Sequence, residues 1–203
     1  MFRFDYSIAA MEDNEEVNYT DRKFESIIYE EKLVAGRYFD KCIFSKSSFK
    51  GCIFDNCRFI NCTFNDCDLS LIKLKSTSFT GVGINNSKAI GVMWFEAGNV
   101  LSISFHNSRL SYSSFYGKNL KKIKFTGCMA DEVDFSECNL AQADFSNTDL
   151  AAAIFQNTDL SQASFVNARN YIIDVRSNKV KKAKFSMPEA LGLLYGLDVV
   201  IEE

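Results

Sequence analysis

Proline, tryptophan and histidine are almost missing from this chain, whose 203 residues hold one of each. All-β chains ordinarily punctuate their turns with proline and glycine, so ordinary hairpins are not what turns this one. A single histidine leaves little for acid–base chemistry. Long apolar runs are missing too. The N-terminus, residues 1–16, turns acidic within a dozen residues and lacks the apolar stretch of a signal peptide. Nothing approaches the roughly 20 apolar residues of a membrane span. These absences predict a soluble cytoplasmic protein without a membrane partner. Seven cysteines, an odd number, do not suit a fully paired secreted framework and read as reduced thiols.

Phenylalanine is abundant instead, with nineteen copies. Their spacing is five. From Phe39 the count gives Phe44, Phe49, Phe54, Phe59, Phe64, Leu69, Leu74, Phe79 and Ile84, slips by one, and resumes at Ile90, Phe95, Val100 and Phe105. It continues every fifth residue to Phe165, then fades through Asn170, Val175 and Val180 to Phe185. Of thirty centres, twenty-eight are Phe, Leu, Ile or Val, and sixteen of the phenylalanines fall on them. Two residues before each centre the side chain is usually small, as in Cys42, Ser47, Cys52, Ala143 and Thr148. The residue just before it is often polar, as in Asp134, Asn139 and Asp144. A period of five fits neither an α-helix nor a plain strand. The chain must bend once per repeat, with the large and the small residue both turned inward.

The runs ADFSN, TDLAA, AIFQN, TDLSQ and ASFVN (143–167) resemble the pentapeptide-repeat family, whose consensus is A-(D/N)-L-x-x. The resemblance spans roughly residues 20–186 and implies an all-β fold, a right-handed quadrilateral β-helix with four repeats to a square coil. Twenty-residue spacing then stacks like residues in columns, such as Phe105, Phe125, Phe145 and Phe165. Residues 1–20 read as an acidic segment, partly disordered, residues 21–186 as the solenoid and 187–203 as its cap. Within the cap, Ser186 to Glu189 reads as a capping box, residues 189–195 as a short helix ended by Gly196, and 197–202 as a final strand. In some family members such tails join two rods. The apolar residues available for a homodimer here are Leu191, Leu194, Leu197, Val199 and Ile201.

Cys52, Cys57, Cys62 and Cys67 would ring one coil, but they occupy the slot that Ala, Ser and Thr fill elsewhere, and their spacing is outside structural-zinc patterns. They read as core filler. No metal, cofactor or catalytic residue is predicted. Walker loop, G-x-S-x-G, H-E-x-x-H and dinucleotide motifs are absent, His106 follows a core Phe and points outward, and the recurrent Asp residues suit turns.

Charge is segregated: residues 32–124 sum to +9, and 125–168 to −7 with no Lys or Arg. Asp131, Glu132, Asp134, Glu137, Asp144, Asp149 and Asp159 form this acidic belt, a candidate for meeting a basic partner surface. Lys118, Lys121, Lys122 and Lys124 cluster, but an acidic chain argues against direct nucleic-acid binding. The one-residue slip is placed at 85–89. Trp94, in the slot before Phe95, is expected to face outward as an interface anchor.

The expected function is a non-enzymatic scaffold that docks a protein. The family resemblance implies an alternative, a DNA mimic that binds DNA gyrase or topoisomerase IV and confers quinolone resistance.

Overall fold

A computed structural model describes residues 17–98, 101–197 and 199. Short strands pair in parallel with strands one coil away, Phe24 with Phe44, Phe44 with Phe64 and Phe39 with Phe59. The result is a β-solenoid of about eight coils, in which twenty residues make one square turn. No helix among the described residues is long and apolar enough to cross a membrane. The first face carries Phe24, Phe44, Phe64, Ile84, Phe105, Phe125, Phe145 and Phe165 inward, all buried. The second follows from Tyr29, the third from Val34 and the fourth from Tyr19 and Phe39.

Two local devices make the square. The first is a left-handed residue at each corner. Positive φ recurs at every fifth position from Asp21 to Gly91 and again from Asn107 to Asn167. Glycine, Asn and Asp accept this region readily, whereas Lys41, Leu71, Glu137 and Ala152 occupy it at a cost. The second is a side-chain turn. Oδ1 of Asp134, Asn139, Asp144, Asp149 and Asp159 each accepts the N–H two residues on, at 2.9–3.2 Å. These short polar residues are turn formers, as the five-residue spacing suggested.

The small slot is a hydrogen-bonded column. Cys57, Cys62 and Cys138 donate their thiols to the carbonyls of Val34, Phe39 and Phe115, 3.2, 3.4 and 3.0 Å away. A hydroxyl there does more: Thr77 Oγ1 donates to the Phe54 carbonyl (3.0 Å) and accepts the Cys57 N–H (3.2 Å). All seven cysteines are free and buried.

Above the slot, rings stack in ladders. Phe24, Phe44 and Phe64 lie 4.8 and 4.6 Å apart, and Tyr19, Phe39, Phe59 and Phe79 form a second ladder on the fourth face. Toward the C-terminus the second ladder runs up the third face instead, through Phe115, Phe135 and Phe155. Trp94 joins the two. It stacks on Phe115 at 5.8 Å and meets Phe79 and Phe105 edge-on at 5.6 and 5.4 Å.

This placement corrects the expected frame. Asn85 pairs with Asn65 and Lys88 with Asp68, both twenty residues apart, so nothing is inserted at 85–89. Lys88 pairs onward with Arg109 and Met93 with Ser114, twenty-one apart. The twenty-residue register holds as far as Gly98, whose N–H donates to Thr77 O as Ser78 does to Cys57 O. By Ile103, opposite Val82, one residue has been added. The centres are therefore Ala89 and Trp94, both buried, while Ile90 is half-buried and Phe95 is exposed. Val100 lies outside the described residues. Beyond Phe165, Asn170 is an exposed left-handed corner, and Tyr171 turns inward in its place.

The ends differ from expectation as well. Val17–Thr20 already pairs with Arg37–Asp40, so the coil begins before residue 21; residues 1–16 lie outside the description. At the other end Glu189–Leu197 is a 3-10 helix that runs past Gly196. Ser186 Oγ accepts the Asn167 N–H (3.0 Å), which ties the helix start to the coil rather than closing a capping box. Leu193 packs against the core, as do Val180 and Phe185. Most of the expected strand 197–202 lies outside the described residues.

Three outcomes follow from this packing. Trp94→Ala should cost about 3–5 kcal/mol and Phe95→Ala under about 1 kcal/mol in urea unfolding, and native Trp94 fluorescence should resist iodide quenching. Ala152→Gly, at an exposed position with φ 55°, should stabilise the fold by about 0.5–1 kcal/mol, because relief of the left-handed strain exceeds the entropy glycine adds to the unfolded chain. Burial pushes the Cys57 and Cys128 thiols up to about 11 and Cys138 up to about 12. A raised thiol pKa favours the folded state below the unfolded pKa of 9.0 and loses that advantage as pH rises to the folded value. Stability should thus fall from pH 9 upward in thermal melts, with a shallower fall when the three are replaced by Ser.

Candidate functional site

Few polar side chains in this fold are free for chemistry, because the corners and the small slots use them. What remains is the outer surface of four flat faces. Two of these carry apolar groups into solvent. Of the ten exposed large apolar side chains between Ile28 and Val166 among the described residues, nine project from the second and third faces. The column before the third-face centres runs Met93, Ser114, Asp134 and Ile154, bridged coil to coil. Phe95 and Tyr116 stand just after the centres in successive coils, 41% and 47% exposed. Tyr112, at the corner between the second and third faces, is 56% exposed.

The acidic belt divides among the faces. Asp131 and Glu132 lie at the second face and its corner with the third, Asp134 on the third face, and Glu137 at the corner between the third and fourth. Ser111 donates to Asp131 Oδ1 at 2.5 Å. Glu132 lies against Tyr112 and Glu137 against Tyr116, and the carboxylates raise both phenol pKa values. Asp149 is different. Arg169 Nε and Asn170 Nδ2 donate to it at 2.9 and 2.8 Å; despite burial that opposes the charge, these bonds hold its carboxyl below the usual range. Asp144 sits on the first face between Lys124 and Ser164. Asp159 belongs to the fourth face with Lys179 and Lys121 nearby, and its own turn bonds to Ser161 lower its pKa most. Four of the seven acids thus lie on or beside the third face, and three do not.

Trp94 does not join them. It is fully buried, its Nε1–H has no hydrogen-bond partner, and the outward position belongs to Phe95. The small-slot rule would have found this. With Trp94 as centre the slot holds Val92, whereas with Phe95 it would hold Met93, and with Ile90 it would hold Lys88. Tyr112 and Tyr116 were also missed, since outward positions follow no pattern that a core period can reveal.

The basic cluster divides likewise. Lys118 Nζ donates to Ala97 O at 2.7 Å, and burial lowers its pKa. Lys124 lies on the first face, and Lys121 and Lys122 on the fourth. In the tail, Leu191 (40%), Leu197 (44%) and Val199 (53%) are exposed and Leu194 is half-buried. Ile201 lies outside the described residues. Among the described residues no three His, Cys, Asp or Glu side chains gather to hold a metal.

Known proteins share this architecture. No curated protein sequence matches the chain. A structure of QnrB1, a plasmid-mediated fluoroquinolone resistance protein, is similar with a TM-score of 0.62 at 17% identity, covering 92% of this chain and 100% of that one. HetL, a pentapeptide repeat protein involved in heterocyst differentiation regulation from the cyanobacterium Nostoc, gives a TM-score of 0.60 at 16% identity, covering 87% and 88%. At these identities the likeness is one of fold. Two family models, a pentapeptide repeat region and pentapeptide repeats in nine copies, match residues 99–170 and 35–72. Together they take in more than half of the sequence, and the chain belongs to the pentapeptide-repeat family.

Proposed function

We propose that the protein is a non-enzymatic scaffold, working in the cytoplasm, that docks a protein partner on its coil faces. The observation that carries this reading is the one-sided exposure of apolar side chains. A hydrogen-bonded sheet presents Phe95, Tyr116 and Ile154 from a backbone that is already ordered before binding. Exposed apolar groups gathered on one side of a molecule mark contact surfaces more often than singly scattered ones do. The polar residues that could suggest catalysis, such as Asp144 and Asp159, hold turns instead.

A second reading is a DNA mimic that engages DNA gyrase or topoisomerase IV and protects against quinolones. Its support is the fold shared with a fluoroquinolone resistance protein. The charge pattern supports it less well, because a mimic needs carboxylates along the rod. Here Asp149 is paired with Arg169, and lysines flank Asp159. The exposed Leu191, Leu197 and Val199 of the tail support end-to-end homodimerisation under either reading.

Two experiments separate these readings. A photo-crosslinking residue scanned over outward positions of all four faces, in cells, should give protein adducts from one or two adjoining faces. Adducts from none, or equally from all, would sink the scaffold. In gyrase supercoiling with and without a quinolone, micromolar protein should neither inhibit nor protect; protection would establish the second reading instead.

A further inference from the structure

We infer that the third face with its two bounding corners, over the coils from Met93 to Ile154, docks an arginine-bearing protein segment. The inference rests on the scaffold reading and adds the place and the partner's chemistry.

Four coils at about 4.8 Å each give a strip roughly 15 Å long, room for a short segment rather than a whole domain surface. Within it, apolar and acidic groups alternate. Phe95 and Tyr116 offer ring faces and Ile154 an aliphatic edge, all half in solvent. Glu132 and Glu137 are exposed corners beside Tyr112 and Tyr116. Asp131 and Asp134 back them with charge, and Glu96 follows Phe95 directly. Cations on it are few: Lys118 is tied to the Ala97 carbonyl, and Lys88 and Arg109 border the strip from the second face.

Two features of this surface select guanidinium. A carboxylate beside an aromatic ring serves both the fork of N–H donors and the flat cation face, because guanidinium stacks on rings while donating two bonds to one carboxylate. A lysine ammonium matches the charge but not the plane, and it gives up its water less readily. Nucleic acid and anionic lipid surfaces would meet four carboxylates and be repelled. Apolar side chains in the partner segment, alternating with arginine, would cover Met93 and Ile154.

The fold provides a clean test. Glu132 and Glu137 occupy left-handed corners at φ 54° and 59°, and Gln142 and Gln162 hold the equivalent position at another corner of the square at φ 63° and 61°. Glutamine therefore removes charge there without altering the turn. Fluorescence anisotropy would measure a labelled octapeptide of alternating Arg and Leu against its Lys–Leu counterpart and a single-stranded oligonucleotide. The native protein should bind the arginine peptide about tenfold tighter than the lysine peptide, and the oligonucleotide not at all. Glu132→Gln with Glu137→Gln, and separately Phe95→Ser with Tyr116→Ser, should each weaken the arginine peptide about tenfold. Asp144→Asn with Asp159→Asn, which removes the same charge from other faces, should change it less than about twofold. Equal losses from the two acidic pairs, no loss from the aromatic pair, equal affinity for both peptides or capture of the oligonucleotide would each overturn the inference. Crosslinks confined to the first or fourth face would refute this site while leaving the scaffold intact.

Discussion

A backbone hydrogen bond from each coil to the next is the interaction on which the whole rod depends. It runs in both directions. The Lys41 N–H donates upward to Ile60 O, and the Ile43 N–H donates downward to Arg22 O, both at 2.8–2.9 Å. With N–H groups committed this way along every face, proline has almost nowhere to stand. Each such bond contributes only about 1 kcal/mol net, so the rod's strength lies in repetition and in contact between neighbouring coils. The same bond demands that every coil hold the same number of residues as its neighbours. That demand explains why left-handed corners are tolerated at Lys41, Leu71 and Ala152: abandoning the corner would break the register above and below.

Where the count changes among the described residues, the core changes as well. Below it, aromatic rings stack on the first and fourth faces; above it, on the first and third. Between Phe79 on the fourth face and Phe115 on the third, the second ladder has a gap to cross. Trp94 spans that gap between Phe79, Phe105 and Phe115, and the buried neighbours Ala89 and Ala97 leave it room. The added residue follows at once, between Gly98 and Ile103. Its single tryptophan therefore belongs to the geometry of the core. Its indole N–H lacks a partner there, a local cost that the ring contacts offset.

Core positions were legible in the sequence wherever large and small residues alternated at fixed spacing. Cys42, Cys57 and Cys138 were read as filler and lie buried beneath carbonyl acceptors. Between 85 and 98 legibility failed because two frames both offered apolar centres, Ala89 and Trp94 or Ile90 and Phe95. The larger residue in each candidate slot, Lys88 or Met93, decides against the second frame. Tyr171 escaped for a related reason: Asn170 keeps the five-residue count, yet its side chain suits a left-handed corner better than a core. The tail was legible as a helix but not as a 3-10 helix, since its tether is the tertiary bond from Asn167 to Ser186.

Surface function is harder to read from a solenoid for a physical reason. Periodicity constrains what points inward and the corner between repeats, and leaves the outward side chains unconstrained by the fold. An acidic run in sequence is therefore wrapped around a square. Asp131, Asp134, Asp144 and Asp159 are near neighbours along the chain but face different directions, while Phe95 and Tyr116, twenty-one residues apart, share one. Charge counted along the chain overstates the belt as a single surface, and three of its seven members are set apart by facing another way or by a cation partner. What lies together in space is narrower and more mixed than an acidic belt: four carboxylates set among exposed rings along one face and its bounding edges. A surface of that kind favours a partner able to meet charge and ring together over one that offers positive charge alone.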